Sequence, residues 1–163
     1  MSELRIGLGY DVHAFAYGRE LVLGGVRLPY ERGLAGHSDA DVLVHALMDA
    51  ILGATRLGDI GQHFPDGDER WKGADSLDLL RRVGEMMRDS GWFLADADLV
   101  LVLEQPKVSA YRDRMRGNMA AALGVDVERV GLKATTTEGL GFEGRGEGVA
   151  AHAVVLLEWV SRA

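Results

Sequence analysis

The sequence predicts an α+β fold with helices packed on one face of a β-sheet. Three observations carry the prediction. Residues 4–13 alternate apolar with small or polar side chains, the period of a strand. Three segments between residues 38 and 124 have helical patterning and are each followed by glycine, a common stop signal. Residues 148–160 form a last strand that is apolar on both faces.

In the first strand Leu4, Ile6, Leu8, Tyr10 and Val12 share one face, and Gly7, Gly9, Asp11 and His13 the other. Leu21-Val22-Leu23 and Val26-Arg27-Leu28 flank Gly24-Gly25 within residues 20–30, which predicts a short hairpin. Residues 31–38 read as a glycine-rich loop. A mostly apolar helix opens near Ser38–Asp41, where serine and aspartate can accept from free amides, and runs to about Leu57. An amphipathic helix fits Asp75–Ser90, with Leu79, Leu80, Val83, Met86 and Met87 on one face. Residues 97–104 predict a buried strand that stops before Pro106, and Ser109–Leu123 a third helix. Val130–Ala134 and Gly148–Val160 are the last strands, joined by a glycine-rich loop. The order is ββ-α-α-β-α-β-β in a single domain over residues 1–163. On the last strand Val149, Ala151, Ala153, Val155, Leu157 and Trp159 line one face, and Ala150, Val154 and Leu156 the other. One core covers one face. Subunit association is one way to cover the other, and a monomer is the alternative.

Composition narrows the function. A chain of 163 residues buries a core without covalent staples. There is no cysteine, which removes disulfides and thiolate chemistry and fits a cytoplasmic location. A net charge of −7 argues against a nucleic-acid partner. No run approaches the roughly 18 apolar residues of a membrane span, so no membrane partner is expected. Only three lysines stand against fifteen arginines, which draws attention to Lys107 and Lys133 as places where a compact ammonium is wanted.

Several motifs point to chemistry. Asp11 and His13 lie two apart on a strand, so their side chains point the same way, about 6.5 Å apart. They can converge on one ion, or be exposed polar groups at a strand end. Asp41, His45 and Asp49 make one polar stripe on the apolar helix. A buried histidine there is either a satisfied core residue or a ligand. One carboxylate and two imidazoles would leave a zinc site with an open fourth position, the catalytic pattern. Gly36-His37-Ser38-Asp39-Ala40-Asp41 enters a helix N-terminus and suits a phosphate, or is only a cap. Lys133-Ala134-Thr135-Thr136-Thr137-Glu138, with Arg145 and many glycine amides beyond it, suits an oxyanion, or is a flexible hairpin loop. Phe64-Pro65-Asp66-Gly67-Asp68 is a turn by composition. Gln105-Pro106-Lys107 follows a buried strand, a favoured ligand position. Arg112, Arg114 and Arg116 read as a solvated helix face. Neither a P-loop nor a dinucleotide fingerprint is present.

Read in order, Gly9-Tyr10-Asp11-Val12-His13, His37-Ser38-Asp39-Ala40-Asp41, Gly58-Asp59-Ile60-Gly61, Phe64-Pro65-Asp66, Pro106-Lys107, Lys133 to Glu138, Gly141-Phe142 and Gly144-Arg145-Gly146-Glu147-Gly148 resemble the 2-C-methyl-D-erythritol 2,4-cyclodiphosphate synthase family over nearly the whole chain. The resemblance implies a ferredoxin-like mixed β-sheet and a homotrimer with active sites between neighbours. It implies zinc, or another divalent transition metal, on Asp11, His13 and His45, and magnesium or manganese on Glu138. The implied substrate is a cytidine diphosphate, 4-diphosphocytidyl-2-C-methyl-D-erythritol 2-phosphate. Its cytidine would sit near Pro106, Lys107 and Ala134–Thr136. Its erythritol phosphate would sit near His37, Ser38, Asp59, Ile60, Gly61, Phe64, Pro65, Asp66, Gly67 and Asp68. Asp11, His13, Lys133, Thr137, Glu138, Phe142 and Arg145 are further implied contacts, and His37 and Thr136 would orient the reacting phosphate. CMP would leave as the 2-phosphate closes a cyclic diphosphate, a step in the methylerythritol phosphate route to isoprenoids. Leu103-Glu104-Gln105 is more charged than the family pattern, and His152 stands where many relatives carry a carboxylate. Rival readings are a metal-dependent phosphohydrolase and a trimeric nucleotide-binding regulatory protein with structural zinc.

Overall fold

Two glycines decide how the sheet meets its helices. The first strand, β1 (Leu4–Tyr17), and the first helix, α1 (Val42–Thr55), approach so closely that a Cβ on Gly9 would lie 1.8 Å from the Ala46 carbonyl oxygen. A Cβ on Gly7 would lie 1.9 Å from the Ala50 carbonyl oxygen. Only glycine allows this contact. The small-residue face of β1 is therefore the inward one, and α1 is buried along nearly its whole length.

The computed structural model describes residues 3–160; the ends of the domain expected over 1–163 lie outside the described residues. The remaining elements are β2 (Leu21–Leu23), β3 (Val26–Leu28), β4 (Arg32–Leu34), α2 (Ile60–His63), α3 (Ser76–Asp89), β5 (Trp92–Val102), α4 (Arg112–Leu123), β6 (Val130–Thr135), α5 (Gly141–Gly144) and β7 (Gly148–Trp159). The main sheet has the order β4-β1-β7-β5-β6, and β2 and β3 form a separate hairpin. The β5–β6 pair is parallel and the other pairs are antiparallel, so the sheet is mixed. Leu43, Leu47, Ile51, Leu80, Leu99, Leu101, Val155 and Leu157 form the centre of the core between sheet and helices.

The structure departs from the sequence expectations mainly at short or irregular segments. The first strand continues past His13 to Tyr17, because β4, inside the expected loop 31–38, pairs with Phe15–Tyr17. The strand expected from residue 97 begins at Trp92; a register shift between Leu94 and Asp96 interrupts its alternation. The glycine-rich loop before β7 contains α5.

The opposite sheet face stays open. Ile6 and Leu8 are each 69% exposed, and Val154 is 46% exposed. Tyr10 and Val12 continue this apolar face, and Tyr10 packs against His152 with ring centroids 4.9 Å apart.

Candidate active site

The close packing of α1 on β1 places His45 over Asp11 and His13. Asp11 Oδ2 lies 2.9 Å from His13 Nε2 and 3.2 Å from His45 Nδ1. The two ring nitrogens are 3.3 Å apart. A tetrahedral zinc ion with ligand bonds of about 2.0–2.1 Å separates its ligands by about 3.3 Å. The donor set, one carboxylate and two imidazoles, fits such an ion in both chemistry and spacing. His13 Nδ1 is 2.6 Å from the Ala35 carbonyl oxygen, which can only accept. That nitrogen carries a hydrogen, so Nε2 is the atom that either donates to Asp11 when the ring is charged or offers its lone pair to a metal when the ring is neutral.

The charges support one another. Burial alone would raise the Asp11 carboxyl, but hydrogen bonds and charge from His13 and His45 hold it down to about 2. Burial alone would lower the His13 ring; the Asp11 carboxylate outweighs it and raises the ring above its ordinary value. The rest of the expected polar stripe has other work. Asp41 is fully buried and accepts from the amides of Gly24 (2.9 Å), Gly25 (2.7 Å) and Val44 (3.2 Å). It ties the β2–β3 hairpin to the α1 N-terminus. Asp49 accepts from the Ile60 amide at 2.8 Å.

A cavity of about 180 Å³ opens beside the cluster. Asp11, His13, His37, Ser38, His45, Ile60, Gly61, Phe64 and Asp66 line it, as does Trp71, which sequence reasoning missed. Trp71 meets Phe64 edge to face at 5.1 Å, and its aromatic character was the available signal. Asp59, Pro65, Gly67 and Asp68 are not on its wall. Asp59 caps α2 through the Gln62 amide, and Asp68 pairs with Arg70. Its carbonyl oxygen accepts from His37 Nε2 at 3.2 Å. The expected phosphate site at the α1 N-terminus is mainly a cap: the amides of Asp39, Ala40, Asp41 and Val44 already have partners.

The second group of expected residues gathers elsewhere. A cavity of about 350 Å³ is lined by Pro106, Lys107, Lys133, Ala134, Thr135 and Thr136. Arg112, expected on a solvated face, also lines it. So does Glu104, whose Oε1 accepts from the Thr137 amide (3.0 Å), the Thr137 hydroxyl (3.3 Å) and the Gly139 amide (3.3 Å). The Thr137 amide leads in pulling the Glu104 carboxyl below its usual range. The Glu138 amide turns onto Thr136 Oγ1 at 3.3 Å. These amides, expected to be open to an oxyanion, are therefore engaged within the loop. Lys133 Nζ lies 2.5 Å from Asp98 Oδ2, and Arg145 pairs with Glu147 at 2.7 Å. Phe142 sits half-buried in α5.

Sheet register measures the gap between the two groups. Asp11 is opposite Ala151, Ala151 opposite Leu101, and Leu101 opposite Ala134. Three strand spacings separate Asp11 from Ala134, about 14 Å. Both groups lie at the same end of the sheet, but within one chain they form two pockets with no shared wall residue.

A model of the YgbB family matches residues 4–158. The 2-C-methyl-D-erythritol 2,4-cyclodiphosphate synthase of Moorella thermoacetica is 61% identical over 154 residues, 94% of each chain. Its Geobacter metallireducens counterpart is 57% identical over 155 residues, 95% of this chain and 99% of that one. The bifunctional IspDF from Campylobacter jejuni superposes with a TM-score of 0.95 at 43% identity, covering 99% of this chain and 44% of that one. This chain thus spans less than half of that protein. A solved 2C-methyl-D-erythritol-2,4-cyclodiphosphate synthase in its CDP-bound form superposes with a TM-score of 0.85 at 41% identity, over 94% of this chain and 99% of that one. The chain therefore belongs to the YgbB family, alongside enzymes named 2-C-methyl-D-erythritol 2,4-cyclodiphosphate synthase.

Proposed function

We propose that this chain, as a cyclodiphosphate synthase, converts 4-diphosphocytidyl-2-C-methyl-D-erythritol 2-phosphate to 2-C-methyl-D-erythritol 2,4-cyclodiphosphate and CMP. It is an enzyme of the lyase class in isoprenoid biosynthesis, as its family membership supports. The observation that carries the mechanistic reading is the Asp11–His13–His45 cluster beside an open cavity. These residues would hold zinc or another divalent transition metal, which supplies Lewis-acid charge to a phosphate oxygen when bound. Glu138 would hold magnesium or manganese.

The reaction uses no protein nucleophile. An oxygen of the substrate's 2-phosphate bonds to the β-phosphorus, and the bond from that phosphorus to CMP breaks, CMP taking the electron pair. The chain's task is to fold the substrate on itself and offset its charge. Positioning of this kind contributes roughly 7–11 kcal/mol in the best intramolecular cases. His37, Ser38, Asp59, Ile60, Gly61 and Phe64–Asp68 would hold the erythritol phosphate, with His37 and Thr136 orienting the reacting phosphate. Pro106, Lys107 and Ala134–Thr136 would hold the cytidine. Lys133 would set a positive charge near the diphosphate, and Thr137, Phe142 and Arg145 would be further contacts.

The two half-sites, about 14 Å apart in one chain, join if the metal cavity of one copy meets the nucleotide cavity of the next. A closed head-to-tail homotrimer does this and covers the apolar face of Ile6, Leu8, Tyr10, Val12 and Val154. On this reading each copy is one domain over residues 1–163, working in the cytoplasm with the small-molecule substrate and two further copies as partners. Among the described residues no helix is long and apolar enough to cross a membrane.

Phosphorus NMR of the protein with substrate, zinc and magnesium tests the reaction. The expected result is a pair of coupled cyclic-diphosphate signals with an equal amount of CMP. Inorganic phosphate would mean a phosphohydrolase instead. An unchanged spectrum with zinc bound would mean a binding protein.

A further inference from the structure

His45 turns Nδ1 toward Asp11 and His13, and its other ring nitrogen points the opposite way, into the start of α3. There Nε2 lies 3.0 Å from Ser76 Oγ and 3.2 Å from Ser38 Oγ. Ser76 is fully buried. Its hydroxyl contacts the Asp39 carboxylate, and its amide donates to Asp39 Oδ2 at 3.0 Å. Asp39 Oδ1 also accepts from the Asp41 amide at 3.1 Å, which braces the carboxylate from the α1 side. The contacts that Ser76 makes are not local: Asp39 and Ser76 are 37 positions apart, and His45 and Ser76 are 31.

Hydrogen-bond polarity runs one way along this chain of groups. An ionised carboxylate only accepts, so the Ser76 hydroxyl donates to Asp39. The Ser76 oxygen then offers His45 a lone pair, and His45 Nε2 must carry the hydrogen. Neutral imidazole has a single N–H. With a metal placed between His45 Nδ1 and Asp11 Oδ2, which lie 3.2 Å apart, the neutral ring keeps its hydrogen at Nε2 and gives the Nδ1 lone pair to the ion, the form a metal ligand needs.

We infer that Asp39 and Ser76 are positioning residues for His45, a carboxylate–hydroxyl relay that selects its tautomer and holds its ring on the metal. The inference rests on the reading of Asp11, His13 and His45 as a metal site. Neither Asp39 nor Ser76 lines the cavity, so neither touches metal or substrate, and their effect passes through His45. Outer partners of a ligating histidine fix its ring and raise its basicity, and losing one weakens metal affinity by about 10–100-fold.

The test reads zinc affinity directly, by competition with a chromogenic chelator, and cobalt(II) absorption as a report on ligand geometry. Ser76→Ala and Asp39→Asn are each expected to lose about 10–100-fold in zinc affinity and to shift the cobalt spectrum. Ser76→Thr keeps the hydroxyl and is expected to restore both. Wild-type affinity and spectrum in Ser76→Ala and Asp39→Asn, with binding abolished in His45→Ala, would overturn the relay alone. Wild-type affinity in His45→Ala as well would overturn the metal site beneath it. Ring-nitrogen NMR of the zinc-loaded wild type needs no variant to fold. It is expected to show His45 with its hydrogen at Nε2 and zinc at Nδ1, and a hydrogen at Nδ1 would overturn the relay.

Discussion

A carboxylate in this protein is defined by the atoms opposite it. Asp11 faces two imidazoles and is held down to about 2. Asp41 faces three amides but lies fully buried, and burial with the nearby Asp39 charge pushes it up to about 6 from 3.8. The native state thus binds the Asp41 proton more tightly than the unfolded chain does. The stability this adds is complete below about pH 4 and is lost as pH rises through about 6. The unfolding free energy of the wild type, relative to Asp41→Asn, should fall across that window by at most about 1.4 kcal/mol per pH unit. Urea titrations at several pH values check this, and a flat difference would refute it. Glu138 makes a separate prediction. On the proposed function, Glu138→Gln should leave zinc binding intact, because Glu138 lies in the loop after β6, away from the Asp11 cluster, but lose magnesium-dependent turnover; unchanged turnover would remove Glu138 from a second metal. Asp11, His13 and His45 were legible from residue type and period alone. Ser76 and Glu104 were not, because their partners are distant in sequence, and Trp71 showed only as an aromatic seven residues from Phe64. Glu104 showed only as an unexpected charge, which the structure explains as the acceptor that holds the Thr137–Gly139 turn.

At the scale of elements, the approach of α1 to β1 brings the candidate metal ligands together, since Asp11 and His13 belong to the strand and His45 to the helix. Gly9→Ala would force the Ala46 carbonyl away. It should destabilise the fold by about 3 kcal/mol and weaken zinc binding together with it. Chemical denaturation and chelator competition on the same samples test the coupling; lost stability with intact zinc affinity would show that the cluster tolerates the shift. The long periodic elements were readable within a few residues of their ends. β4, α2 and α5, of three or four residues each, were not, since so short a segment carries no period. The β5 start was missed because the shift between Leu94 and Asp96 breaks the alternation on which the reading depends.

For the whole molecule, the open sheet face and the divided site have one common solution, association of copies. Light scattering should give three times the mass of one chain. Leu8→Glu, placing a charge on a residue 69% exposed in the single chain, should yield monomers without turnover. A shared site also predicts complementation. His45→Ala damages one half-site and Lys133→Ala the other, so each alone should be inactive. Refolded together in equal amounts, they should regain about one quarter of wild-type activity, since a site needs an intact half from each of two neighbours. No recovery in confirmed mixed trimers would place the whole site within one chain.

The sequence by itself determined the types and order of the long elements and the three side chains of the candidate metal cluster. Each of these depends on periodicity or residue chemistry within a short window. It also showed that β1 has an apolar face and a small-residue face. Only the tertiary structure decided which face is inward. Hydrophobicity alone favours burying Ile6 and Leu8, yet the backbone contact of α1 with Gly7 and Gly9 takes the inner side and turns the apolar side outward. Which histidine nitrogen faces the cluster, which amides are already engaged, and how far apart the two pockets lie were likewise tertiary outcomes. They are set by contacts between residues far apart in the chain, about which local pattern carries no information.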